Sequence, residues 1–85
     1  MIHQIQSAQV EPSRKIRIRF KNGQVRLFDM RPYLNKGVFR ELQNEAYLEK
    51  ARVVWGGIEW PHEQDLSADT LYYRSVPLKT KRGRG

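Results

Sequence analysis

Apolar and polar residues alternate most regularly over residues 15–21, where Ile16, Ile18 and Phe20 are interleaved with Lys15, Arg17, Arg19 and Lys21. A period of two predicts a strand with one face buried and the other wet. Asn22-Gly23 follows, and the apolar pattern resumes at Val25 and Leu27, so the segment predicts a hairpin closed by a two-residue turn whose central positions need positive φ. That turn sets Phe20 opposite Val25, Arg19 opposite Arg26 and Ile18 opposite Leu27. Apolar residues then meet on one face. Two arginines meet on the other, which is unfavourable unless water, a carboxylate or an anion intervenes.

Residues 2–10 predict a preceding strand, with Ile2, Ala8 and Val10 on one parity and Ile5 on the other; a bulge near Gln6-Ser7 or an edge position reconciles them. Pro12-Ser13 separates it from the hairpin, giving a three-stranded antiparallel meander that ends at Asp29-Met30-Arg31-Pro32. Residues 33–51 predict a helical crossover, since Phe39, Leu42, Ala46 and Tyr47 fall on one helical face. Glu41, Glu45 and Glu49 would then form an acidic row, each neighbouring pair costing roughly 0.2–0.5 kcal/mol. The row is either solvated or compensated by basic residues, and a break near Gln43-Asn44 into two short pieces is the alternative.

Arg52 to Trp60 predicts a second hairpin turning at Gly56-Gly57, with Val53, Trp55, Ile58 and Trp60 on one core-facing side and Val54 and Glu59 on the other. After Pro61, Ser67 suits an N-cap, Leu66 and Leu71 suit a hydrophobic staple, and Asp69 falls in the first turn of a short helix from Ala68 to about Arg74. Val76 and Leu78 are expected to return to the core. The expected fold is α+β: a three-strand meander, a helical crossover, a second hairpin and a short C-terminal helix. It occupies a single domain over residues 1–78, followed by a flexible basic tail at 79–85.

Composition narrows the class. The chain has 85 residues and no cysteine, so disulfides and thiolate metal sites are excluded, and a homodimer is one expected source of additional burial. His3 and His62 do not make a metal site by spacing, and no cofactor is expected. No apolar run is long enough to cross a bilayer, and residues 1–9 lack a basic head followed by an apolar stretch, so the expectation is a cytoplasmic protein with no membrane contact. The formal charge of +7 suits an acidic protein surface or a polyanion. Residues 14–31 hold seven basic side chains against the single acid Asp29.

That concentration selects the candidate site: Arg17, Arg19, Lys21 and Arg26 on one side of the sheet, with Arg14 and Lys15 nearby. Such a face attracts phosphates or docks an acidic protein partner. Only Phe28 shares the basic parity as a base-stacking platform. His62, Glu63, Asp65 and Asp69 cluster in sequence with acid-base potential, but no nucleophile or phosphate loop accompanies them, and an enzyme is not expected. Asp29, Arg31 and Tyr33 form either a polar rim or a capped turn.

Four stretches, FKNGQVRLFD at 20–29, RPYLNKGVFRELQN at 31–44, G-x-x-W-P at 57–61 and DLSADTLY at 65–72, together resemble the small bacterial proteins grouped as domain of unknown function 2442. The resemblance covers about residues 8–76. It implies a compact α+β domain, fused in one branch to a helix-turn-helix DNA-binding domain that this chain ends too soon to contain. It also implies frequent encoding beside another small uncharacterised protein, in what looks like a toxin and antitoxin arrangement. The family pattern reads Trp-Pro-Asn-Gly-x-Asp; Trp60, Pro61 and Asp65 match, whereas His62 and Glu63 replace Asn-Gly, so a different turn is expected there. The expected function is a non-enzymatic binding protein, the partner or antitoxin-like member of a two-protein module; the alternative is nucleic-acid binding through the arginine hairpin.

Overall fold

A computed structural model describes residues 3–78. In chain order it has strands β1 (Ile5–Glu11), β2 (Lys15–Phe20) and β3 (Val25–Asp29), then 3-10 helical stretches at Arg31–Tyr33 and Gly37–Gln43 and helix α1 (Glu45–Leu48). Strands β4 (Arg52–Val54), β5 (Gly57–Glu59) and β6 (Asp65–Ser67), helix α2 (Ala68–Arg74) and strand β7 (Val76–Pro77) complete it. Two antiparallel sheets result, ordered β1-β2-β3-β7 and β4-β5-β6. The fold is the expected α+β class, with β6 and β7 added. The tail at 79–85 lies outside the described residues.

The bulge near Gln6-Ser7 is present: Ile5 pairs with Phe20 and Ser7 with Arg19, so the register shifts between them and Ile5 reaches the core. The β2–β3 turn differs from the two-residue expectation. Phe20 N–H donates to Gln24 O at 2.8 Å, Gly23 N–H donates to Phe20 O at 3.0 Å, and Gly23 alone in the turn has positive φ, at +94°. This is a three-residue loop, Lys21-Asn22-Gly23, of the kind that ends in a left-handed glycine. One extra loop residue flips every side chain of β3. Ile16 therefore faces Phe28 and Ile18 faces Arg26, while Val25 and Leu27 turn outward. Burial explains the choice, since Phe28 becomes fully buried and contributes about 1.5–3 kcal/mol.

The crossover breaks at Asn44, the alternative that the sequence left open. Asn44 has an extended backbone, and its side-chain oxygen accepts the Tyr47 N–H at 3.1 Å, capping α1. The break changes the helical phase, so Leu42, Tyr47 and Leu48 are buried, Phe39 is partly buried and Ala46 is exposed.

The second hairpin turns one residue earlier than expected, at Trp55-Gly56, with Val54 opposite Gly57 and Val53 opposite Ile58. Gly57 belongs in the strand because a Cβ there would lie 2.1 Å from Leu66 O on β6. The consequence divides the tryptophans. Trp60 is 2% exposed and its indole N–H donates to Leu48 O at 2.9 Å, whereas Trp55, expected in the core, is 88% exposed at the turn.

Helix α2 follows its sequence signals: Ser67 Oγ accepts the Thr70 N–H at 3.1 Å, and Leu66 and Leu71 are buried. Asp69 in its first turn accepts the His3 N–H at 3.2 Å. Val76, expected in the core, instead pairs with Leu27 at the edge of the first sheet and stays exposed, and Leu78 N–H donates to Val25 O at 2.9 Å. Among the described residues no helix is long and apolar enough to cross a membrane.

Candidate functional site

One face of the meander carries Ile16, Ile18, Phe20 and Phe28 into the core, and the other is open. By register the open face presents Ser7, Gln9 and Glu11 on β1, Lys15, Arg17 and Arg19 on β2, Val25, Leu27 and Asp29 on β3, and Val76 on β7. It is a mixed surface, with the apolar Val25, Leu27 and Val76 beside three basic and two acidic side chains.

The six basic candidates do not all share one face: Lys15, Arg17 and Arg19 lie on the open side, Arg26 on the inner side, and Arg14 and Lys21 in the flanking loops. Arg17 Nε pairs with Glu11 Oε2 at 3.0 Å, and Lys15 stands between Glu11 and Asp29 in register. Arg14, in the β1–β2 loop with φ +58°, donates from Nη2 to Gln43 O at 2.7 Å and pairs through Nη1 with Glu45 Oε2 at 3.3 Å. It fastens the loop to the crossover. Arg19 stands between Ser7 and Val25 in register, so the sheet places no acid beside it. Lys21 begins the three-residue loop and is exposed.

Arg26 is a correction. The one-residue register change puts it on the inner side, opposite Ile18 and not Arg19. Its Nε donates to Ser75 Oγ at 2.7 Å, Nη2 to Ser75 O at 2.8 Å and Nη1 to Gln24 Oε1 at 2.9 Å, and its guanidinium lies 4.4 Å from the Tyr72 ring centroid. Its partners hold the end of α2 against β3. Phe28, the one aromatic residue expected to share the basic face, is on the inner side and fully buried. The signal that separates these readings is the length of the turn.

The acidic and histidine residues near 62–69 fall into separate groups. His62 Nδ1 lies 2.6 Å from Glu41 Oε2, and its N–H donates to Tyr47 Oη at 2.8 Å. Tyr47 Oη donates to Gln64 Oε1 at 2.7 Å, while Gln64 Nε2 donates to Val38 O and Glu41 Oε1, each at 3.0 Å. The hydrogen bond from Gln64, aided by His62, holds the Glu41 carboxyl below its ordinary range. Asp69 belongs elsewhere: His3 Nδ1 is 3.0 Å from its Oδ1, and that contact holds its carboxyl low. Asp65 pairs in register with Glu59. Among the described residues no group of three or more such side chains is placed to hold a metal. Sequence spacing missed Gln64, a buried polar residue whose partners come from distant segments.

Asp29 and Arg31 form the capped turn. Asp29 Oδ1 accepts the Arg31 N–H at 3.0 Å, Arg31 Nη2 donates to Oδ2 at 2.8 Å, and these bonds lower the Asp29 pKa. Tyr33 stacks on Phe28 at 5.5 Å between ring centroids, and its hydroxyl accepts from Arg74.

A family model matches residues 5–77, most of the chain. The chain belongs to the family described as protein of unknown function (DUF2442). No curated protein and no solved structure gives a significant match. Membership agrees with the resemblance carried by the hairpin, crossover and Trp-Pro stretches. At the departure from the Trp-Pro-Asn-Gly pattern, Glu63 has φ +77°, so the backbone is left-handed where that pattern places glycine. A glutamate thus occupies a left-handed backbone position in this turn.

Proposed function

We propose that this DUF2442 chain is a non-enzymatic binding protein that docks an acidic partner protein on the open face of its meander, as the antitoxin-like member of a two-protein module. The observation that carries this reading is the composition of that face: Arg19, which the sheet gives no acidic neighbour, stands beside outward-facing Val25, and Arg17, paired with Glu11, stands beside Leu27 and, next to it, Val76. Such a mixture suits a protein surface, where apolar contacts supply affinity and the arginines add encounter rate and selectivity.

Nucleic-acid binding draws support from the net charge of +7. The face supports it less, because Arg26 and Phe28 point inward and Arg14 and Arg17 already pair with Glu45 and Glu11. A phosphate-binding surface gains affinity from each additional cation it can offer.

The test is purification of untagged protein from its native cells with nuclease treatment, followed by mass spectrometry of what remains bound. A stoichiometric acidic protein, lost on Arg19→Glu and on Leu27→Asp while the fold is retained, is the expected result. Nucleic acid released by nuclease with no protein left behind, or a homodimer alone, would overturn the reading.

A further inference from the structure

Neither the core nor the open sheet face accounts for the groove between the edge strands of the two sheets. β1 is an outer strand of one sheet and β4 of the other, and the two pack against each other. An edge strand keeps a row of backbone N–H and C=O groups without ladder partners. At one end of this seam lies a groove of about 300 Å³ walled by Ile5, Val53, Val54 and Trp55, with Gln4 and Lys21 at its margin.

Trp55 is the unusual part of that wall. A tryptophan carries on the order of 150–250 Å² that favours burial, yet Trp55 is 88% exposed and Val53 beside it is 37% exposed. The strand position of Gly57 fixes this arrangement, because it forces the turn onto Trp55-Gly56. Large aromatics so presented are the residues that anchor partners. Lys21 is the one charged side chain in the lining, so the groove joins an apolar wall to a single positive charge.

We propose that the groove binds an extended segment of a partner protein that carries large apolar side chains next to a carboxylate. The apolar side chains cover Trp55 and Val53, and the carboxylate meets Lys21. The groove and the open sheet face are different surfaces, so this inference and the reading above can fail separately.

The full-length chain is titrated with a capped peptide of leucine, valine and leucine followed by two aspartates, with the same peptide carrying lysines for aspartates, and with a six-nucleotide thymidine single strand. Saturable binding of the aspartate peptide, with a blue shift of tryptophan emission and protection from acrylamide, is the expected result; Trp60 is already shielded. By calorimetry, Trp55→Ala should weaken that peptide about thirtyfold or more without lowering the unfolding midpoint, and Lys21→Glu should move the preference to the lysine peptide. No saturable binding at millimolar peptide, equal binding of both peptides, or preference for the oligonucleotide would overturn the proposal. So would emission that changes with protein concentration alone, with sedimentation reporting a dimer that Trp55→Ala abolishes, since the groove would then hold a second copy.

Discussion

The loops Lys21-Asn22-Gly23 and Pro61-His62-Glu63 close on the same pair of hydrogen bonds, yet different forces hold the left-handed residue of each. In the first, Phe20 N–H donates to Gln24 O at 2.8 Å and Gly23 N–H to Phe20 O at 3.0 Å; in the second, Trp60 N–H donates to Gln64 O at 2.9 Å and Glu63 N–H to Trp60 O at 3.1 Å. The left-handed φ is +94° at Gly23 and +77° at Glu63. Glycine lets the first loop form from local preference, with nothing within 4 Å of the position a Cβ would take. The second is imposed from outside: Tyr47 holds His62, and Glu41, Val38 and Tyr47 hold Gln64, which is 3% exposed. A strained residue persists where its surroundings over-determine it.

Removing those surroundings should have the largest effect. Gln64→Leu leaves the Tyr47 hydroxyl without its acceptor and the Val38 carbonyl without its donor, at an expected cost of about 2–3 kcal/mol in urea unfolding. Gln24→Leu, at the matching position of the exposed loop, should change stability by no more than about 0.5 kcal/mol. Equal losses would show that the two loops are held in the same way. Gly23→Ala is next, at about 1–2 kcal/mol of backbone strain alone, since the added methyl meets open space. Gly23→Asn should recover part of that loss, as asparagine tolerates the left-handed region.

The same contrast between local and distant support explains which features are legible in the amino-acid sequence. Strand β2, the β1 bulge, the Ser67 cap and the α+β class are legible because each follows from a local pattern or a local hydrogen bond. The hairpin at Asn22-Gly23 is legible as a turn but misplaced by one residue, because Asn-Gly fits both a two-residue and a three-residue loop; burial of Phe28 decides between them, and burial is not local. Arg26 moves from the candidate surface to the inner side with that one residue. The exposure of Trp55 is hidden for a related reason: the close approach of the Leu66 carbonyl, which leaves no room for a Cβ at Gly57, involves a strand, β6, that no local pattern announces. Glu63 offers no turn signal, and its support comes from the crossover.

Glu63→Gly should sharpen the contrast in the opposite direction. Relief of the left-handed strain outweighs the entropy glycine gains in the unfolded chain, giving about 0.5–1 kcal/mol of stabilisation. The expected readout is a higher urea midpoint with an unchanged slope. A lower midpoint would mean that Glu63 is unstrained at φ +77° and that its side chain contributes to the fold.

Acid separates the two loops by the smallest margin and the most directly. The carboxyls of Asp29, Glu41 and Asp69 are all held below their ordinary values, so the stability they contribute is present above the unfolded-state pKa and is lost as pH falls through the lower folded-state values. Of these, Glu41 sits under the second loop, accepting from Gln64 and touching His62, whereas the hydrogen bonds of the first loop involve no carboxylate. Below pH about 4 amide exchange should therefore quicken at Trp60 and Glu63, whose N–H groups close the second loop, before it does at Phe20 and Gly23. Glu41→Gln should remove the difference, because the amide oxygen still accepts from Gln64 but no longer titrates. Parallel acid responses at both loops would show that the Glu41 carboxylate is not what keeps the second turn left-handed, leaving the Tyr47 and Val38 contacts to carry it.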